Sequence, residues 1–184
     1  MKKRALLILA EGFEEIEAVS PIDILRRCGV ELVVAGLGGK NVKSARGLII
    51  TADKELDESD TNYDAVILPG GLGGAQNLAN SNVVDKILTE IYKKGGILAS
   101  ICASPSIVFS PKGFINNKKS VCYPGMQDRF PDSAQYVEED VVVDGNIITS
   151  KGPATSTKFA FKIAEKLVGK DVSDKVAKAM LFIK

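Results

Sequence analysis

The chain contains no histidine and no tryptophan among its 184 residues. Without imidazole there can be no Cys-His or Ser-His dyad and no histidine-built metal site. Any proton traffic must therefore run through carboxylates, tyrosine, thiol or water. Cysteine is scarce as well: Cys28, Cys102 and Cys122 are odd in number and lack C-x-x-C spacing. That pattern indicates neither a disulfide framework nor a zinc site, and a reducing cytoplasm is the expected setting. An excess of charge of one sign is missing too, since the formal net charge is +1. A polybasic membrane surface and an electrostatic nucleic-acid binder are not expected, and there is no nucleic-acid motif. No apolar run reaches the ~18–20 residues of a membrane span. The stretch from Ala5 to Ala10 follows Lys2-Lys3-Arg4 as a signal peptide might, but it is short and runs into Glu11, Glu14, Glu15 and Glu17. With no cleavage site in view it reads as a first strand.

What is present is an alternation of strands and helices over one expected domain, residues 1–184. Ala5–Ala10, Glu31–Ala35, Ala65–Leu68 and Ile97–Ala99 are short continuous apolar runs, the pattern of parallel strands covered on both faces. Residues 14–28 read as a helix with acids in the first turn, arginines in the last and Gly29 closing it. Pro21 in its interior predicts a kink or a lost backbone bond. Residues 36–63 suggest an excursion at the sheet edge with weak strand signals at Leu48-Ile49-Ile50, and 75–93 one or two helices. Asp144-Gly145 between two apolar runs predicts a type I′ hairpin. After the irregular 109–140 come two more helices, one ending at Gly169 and one over 172–181. This order predicts an α/β fold: a doubly wound, mostly parallel sheet in a three-layer αβα sandwich.

Reactive groups in such sheets gather beyond the carboxyl ends of the strands. Three segments meet that rule: Gly12–Glu17, Pro69–Gly74 and Ile101–Ser104. In the last, Cys102 lies between Ser100 and Ser104, small residues where a sharp strand-to-helix turn demands them, which is the logic of a nucleophile elbow. If Ala103 opens a helix, its N-terminus favours thiolate at Cys102. The competing reading is a small buried hydrophobe at a strand end. Glu17 has Pro21 and Ile24 on its helical stripe, so burial would raise its pKa. Glu14, Glu15 and Glu17 are equally well read as first-turn acids, and spacing alone does not choose among them. Gly70 and Gly71, with the amide of Ala103, could offer N–H groups to an oxyanion, or could simply form a tight turn. The phosphate-loop and dinucleotide fingerprints are not formed, so no cofactor is expected. Of the neighbours Cys122 and Tyr123, only one can face Cys102.

Taken together, Ile101-Cys102-Ala103-Ser104-Pro105, Gly12-Phe13-Glu14-Glu15-Ile16-Glu17 and Leu68-Pro69-Gly70-Gly71 resemble bacterial members of the DJ-1/ThiJ/PfpI superfamily. Further matching blocks, among them Pro21-Ile22-Asp23, Ala75-Gln76-Asn77-Leu78 and Ser150-Lys151-Gly152-Pro153, extend the resemblance along essentially the whole chain. It implies a flavodoxin-like sandwich, a homodimer, and no cofactor or metal. Cys102 would be the nucleophile and Glu17 a protonated carboxyl bonded to it. Gly71 and Ala103 would supply oxyanion-hole amides. The pocket would be lined by Gly70, Tyr123, Gly152 and Pro153, with Arg27 and Arg46 at a rim near the dimer partner.

The resemblance also implies a stress-protection role on a small reactive carbonyl or a glycated substrate, of glyoxalase or deglycase type. Its alternative is an oxidative-stress sensor or chaperone working through oxidation of Cys102. Glyoxalase-active members carry histidine where this chain has Tyr123, which implies slow turnover here. Peptidase-like members carry histidine where this chain has Ala103, which leaves a protease without its base.

Overall fold

The computed structural model describes residues 2–183. In chain order the elements are β1 (Arg4–Leu9), α1 (Glu15–Arg27), β2 (Glu31–Gly36), β3 (Asn41–Lys43), β4 (Ile49–Thr51), β5 (Lys54–Glu55) and β6 (Ala65–Leu68). There follow α2 (Leu72–Ala79), α3 (Asn82–Lys93), β7 (Ile97–Ile101), β8 (Lys119–Ser120), β9 (Gln135–Tyr136), β10 (Val141–Asp144), β11 (Ile147–Ser150), α4 (Ser156–Val168) and α5 (Lys170–Ala179). Seven strands form one sheet in the order β10-β11-β7-β6-β1-β2-β5. Every pairing in it is parallel except β10 with β11.

Strand side chains alternate between faces, and β1 shows the consequence. Ala5, Leu7 and Leu9 enter one apolar cluster with Phe159 and Ile163 of α4 and Ile24 and Leu25 of α1. Leu6 and Ile8 enter the other, with Leu78 of α2 and Val84, Ile87 and Leu88 of α3. All five strand residues are fully buried. A run that is apolar on both faces is therefore what a central strand between two helical layers requires.

The local signals hold where a chemical reason backs them. Helix α1 ends at Cys28, after which Gly29 takes φ +80° and donates to the Arg26 carbonyl. Helix α3 begins where the Ser81 hydroxyl accepts from the Val84 amide, so 72–93 is two helices. Helix α1 runs through Pro21, which lacks the N–H that would bond the Glu17 carbonyl, so the expected backbone bond is lost while the ring is buried with Glu17, Ala18, Ile24 and Leu25.

Three expectations change. The hairpin pairs Asp144 with Ile147, so its two-residue turn is Gly145-Asn146 rather than Asp144-Gly145. Only Gly145 of these has positive φ, which is the type II′ and not the type I′ pattern. The 36–63 excursion is a separate β3–β4 hairpin, and only β5 joins the main sheet, at its edge. After the elbow, where a helix opening at Ala103 was one reading, the chain winds as a five-residue π-type helix, Pro105–Phe109.

Candidate active site

Gly12–Glu17 follows β1, Pro69–Gly74 follows β6, and Cys102 follows β7, so adjacent parallel strands deliver all three to one end of the sheet. Glycine lets them touch. A Cβ on Gly70 would sit 2.6 Å from both the Cys102 Cβ and a Glu17 carboxyl oxygen. A Cβ on Gly71, at φ +83°, would meet the Gly12 carbonyl at 2.3 Å. The Glu14 amide donates to the Gly70 carbonyl at 3.0 Å and ties the loops together.

Cys102 is a non-glycine residue at φ +65°, a left-handed conformation costing about 1–2 kcal/mol. It is held there on both sides: its amide donates to the Ser150 carbonyl at 2.9 Å, and its carbonyl accepts from the Tyr123 amide at 2.8 Å. Ser104 is buried and donates to the Pro69 carbonyl at 2.6 Å, locking the elbow to the glycine loop. The strained turn brings the sulfur within reach of the Gly71 and Ala103 amides, which favour its ionised form.

The three acids of the first turn separate by task. Glu14 caps α1, its carboxylate accepting from the Glu17 amide at 2.9 Å. Glu15 reaches the hairpin, accepting from the Ser44 hydroxyl and, at 2.7 Å, from the Arg46 amide. Burial works to raise Glu15, but those bonds, its own amide and the Arg46 charge leave it below the usual range. Glu17 alone turns inward and is fully buried. Its Oε2 accepts from the Gly70 amide at 2.7 Å, and Oε1 has no hydrogen-bond partner among the described residues. Oε1 lies on the side of Gly152, where an added Cβ would come within 4.0 Å of it.

Burial pushes Glu17 up to about 7, against the smaller opposing pull of the Cys102 thiol and the Gly70 amide. Burial, then the Glu17 carboxylate, push Cys102 up to about 12, against the two amides. Burial and the neighbouring acid thus work against the expected helix-stabilised thiolate. A five-residue π-type turn offers little dipole, and an acidic neighbour outweighs two N–H groups. Glu17 and Cys102 titrate as a pair, and between the two values they hold one proton between them.

The remaining candidates divide. Tyr123 is half exposed, and its ring lies over Gly152, where a Cβ would be 3.3 Å from the ring edge. Cys122 is fully buried and turned toward the Ser106 hydroxyl, so Tyr123 is the neighbour that faces the site. Pro153 opens a short 3-10 turn beside Gly152, held by the Thr155 hydroxyl donating to the Gly152 carbonyl at 2.9 Å. Arg46 is exposed on the hairpin next to Glu15. Arg27 is not brought to the site by this chain. It pairs with Asp23 at 2.9 Å at the far end of α1, ten residues and so ~15 Å beyond Glu17. Sequence reasoning missed Ser150 and Thr155, whose hydroxyls meet at 2.6 Å beneath the Gly152 loop. Their polar runs gave no periodic signal that could have found them.

The DJ-1/PfpI family model matches residues 3–166. The chain is 42% identical to Protein dj-1beta of Drosophila melanogaster over 98% of each chain. A crystal structure of Drosophila melanogaster DJ-1beta superposes with a TM-score of 0.94 and covers 98% of both chains. The glutathione-independent glyoxalase DJR-1.2 of Caenorhabditis elegans is 33% identical over all of this chain and 98% of its own. A structure of Toxoplasma gondii DJ-1, oxidized, has 37% identity and a TM-score of 0.93, covering 97% of this chain and 98% of that one.

Glu17→Gln tests the pairing directly. Loss of the carboxylate charge should lower the Cys102 pKa measured by pH-dependent iodoacetamide alkylation. Because the Glu17 pKa is raised on folding, the folded chain binds more protons than the unfolded one between 4.5 and about 7. Stability supplied by the buried neutral acid is then complete below 4.5 and falls by about 3 kcal/mol as pH rises through 7. Urea titrations at pH 5 and pH 8 should show that loss in the wild type and a much smaller one in Glu17→Gln. An unchanged difference would show that Glu17 is not the group responsible.

Proposed function

Since the chain belongs to the DJ-1/PfpI family, we propose that it converts small reactive dicarbonyls to hydroxy acids, slowly and without a cofactor, through Cys102 and Glu17. The observation that carries this reading is the buried Glu17 carboxyl, near neutrality, against a sulfur held in a strained elbow. The name of the Caenorhabditis elegans relative, a glutathione-independent glyoxalase, supports it.

With methylglyoxal as substrate, the Glu17 carboxylate takes the thiol proton as sulfur bonds to the aldehyde carbon. It returns that proton to the resulting alkoxide, giving a hemithioacetal. Again a carboxylate, Glu17 removes the C1 hydrogen as a proton and redelivers it to C2, while the hydroxyl proton on the C1 oxygen passes to the C2 oxygen. C1 is thereby oxidised to a thioester and C2 reduced to an alcohol, with no external electron carrier. Water cleaves the thioester, releasing lactate and restoring the thiol. The Gly71 and Ala103 amides, which face the sulfur at rest, are placed to stabilise oxygen charge at the first and last steps. Tyr123, Gly152 and Pro153 shape the wall beside Oε1. Glycated adducts of the same carbonyls are the wider substrate class of this reading.

Lactate formation from methylglyoxal should fall by about 10² or more in Cys102→Ser and in Glu17→Gln. In the wild type kcat/KM should rise with pH through about 7, as the pair loses its first proton, and Glu17→Gln should lose that inflection. Tyr123→His, which restores the imidazole implied for active members, should raise turnover. A wild type no faster than Cys102→Ser would overturn the enzymatic reading.

A second reading is favoured by the same two amides, which could hold the oxygens of an oxidised sulfur, with neutral Glu17 donating to a third position. Peroxide would take Cys102 to sulfenic and then sulfinic acid, each step releasing water. The structure of Toxoplasma gondii DJ-1, oxidized, supports this chemistry in a relative. Mass spectrometry after graded peroxide should find Cys102 oxidised before Cys28 and Cys122, and any other order would remove this reading.

A homodimer completes the proposal. Ile16 and Val19 of α1 and Leu48 and Ile49 of the β3–β4 region are about half exposed or more, an apolar surface close to the site. Light scattering should give a dimer for the wild type and a monomer for an Ile16→Glu, Ile49→Glu double variant. A wild-type monomer would exclude it.

A further inference from the structure

At the opposite pole of the sheet, where the parallel strands begin, lies a cleft of about 830 Å³. It is formed where Arg4 enters β1, Asp64 precedes β6, Ile97 opens β7 and Asn146 precedes β11. Strands of this length place it roughly 15–20 Å from Cys102.

Lys2, Lys3, Arg4, Lys94 and Lys166 all line this cleft, although the whole chain carries a net charge of only +1. Asp64 is the acid in the wall, and it binds Lys3 at 2.9 Å. Arg4 pairs with Glu31 at 3.1 Å. Lys94 reaches the Thr61 carbonyl at 3.2 Å and its hydroxyl at 3.5 Å, and among the described residues Lys2, Lys94 and Lys166 have no carboxylate partner. Two helices, α3 and α4, end here, and their dipoles supply about half a negative charge each. That offsets about one cation. After Asp64, Glu31 and both helix ends are counted, a surplus of about two positive charges is left facing one hollow.

The wall also carries a fixed flat surface. The Arg4 guanidinium lies 4.7 Å over the Tyr63 ring, and its Nη1 donates to the Asn62 carbonyl at 2.8 Å. Backed by an aromatic ring and held at two edges, the guanidinium presents a plane on which a base could stack.

We propose that this cleft is a second binding site, separate from the cysteine, for a compact polyphosphate group. A single phosphate would leave cations unmatched and most of the volume empty, whereas a space of this size suits a nucleotide-sized ligand. The same group could arrive free or as the tail of a nucleotide. The Arg4–Tyr63 plane distinguishes the two sources, because only a nucleotide has a ring to place on it.

Calorimetric titration of the wild type with inorganic tripolyphosphate, ATP and single-stranded oligonucleotides of increasing length tests the site. The expected result is one tripolyphosphate or ATP per chain, weakening as salt is raised. A Lys2→Glu, Lys166→Glu double variant should bind at least about tenfold more weakly, with its melting temperature and its Cys102 alkylation rate unchanged. Tighter binding of ATP than of tripolyphosphate supports the nucleotide as the source, and equal binding supports free polyphosphate. The proposal is overturned if neither compact ligand binds, if the double variant binds as the wild type does, or if only oligonucleotides bind with affinity that grows with length. None of these outcomes depends on turnover at Cys102.

Discussion

The approach of the buried Glu17 carboxyl and Cys102 to each other across Gly70 is the feature on which the rest of this end of the molecule depends. A carboxyl group with no solvent exposure is costly when charged, and Glu17 has only one conventional hydrogen bond, from the Gly70 amide. The fold therefore keeps it near the point where proton gain and loss balance. A sulfur beside it cannot ionise freely while the carboxylate is charged, and the carboxyl cannot ionise freely while the sulfur is. Each group becomes the other's proton reservoir. In a chain without histidine, this coupling is the proton route on which the proposed function relies.

Everything near the pair can be read as a condition for that contact. Gly70 must lack a side chain because 2.6 Å separates its would-be Cβ from both the Cys102 Cβ and the Glu17 carboxyl. Ser104 must be small and polar because it is fully buried and donates to the Pro69 carbonyl. Ser150 supplies the carbonyl that anchors the Cys102 amide, and its hydroxyl meets Thr155, which in turn holds Gly152. The left-handed backbone of Cys102 is thus over-determined by three neighbouring segments, the usual condition for strain of 1–3 kcal/mol to persist.

The layered fold was legible because its causes are local and periodic. Apolar runs bounded by turn residues marked the strands, and glycines such as Gly29 and Gly169 marked helix ends. The convergence of three loops followed from the rule that ligands sit beyond the carboxyl ends of parallel strands. What could not be read were distinctions that depend on distance. Glu14, Glu15 and Glu17 look alike in sequence, yet they cap a helix, brace a hairpin and face a thiol. The hairpin register slipped by one residue because both Asp144-Gly145 and Gly145-Asn146 are acceptable turn pairs, and the ladder from Val141 to Ser150 chose the second. The thiolate was expected to be favoured if a helix opened at Ala103. A π-type turn and a buried acid reverse that sign.

Composition also hid how charge is distributed between the two poles. A net charge of +1 looks featureless, but Lys2, Lys3, Arg4, Lys94 and Lys166 come from three well-separated stretches that only the sheet brings together. The opposite pole gathers Glu14, Glu15 and Glu17 at the first turn of α1. Acids there satisfy a helix N-terminus, and the lysines satisfy helix C-termini, so part of this sorting is what any parallel α/β fold favours. The two ends differ in what remains afterwards. At the cysteine end the leftover charge is buried and neutralised by a proton. At the other end it is exposed and neutralised by nothing in the described chain. A buried surplus becomes a proton-transfer device because water cannot screen it, while an exposed surplus can only attract a counter-ion or a ligand.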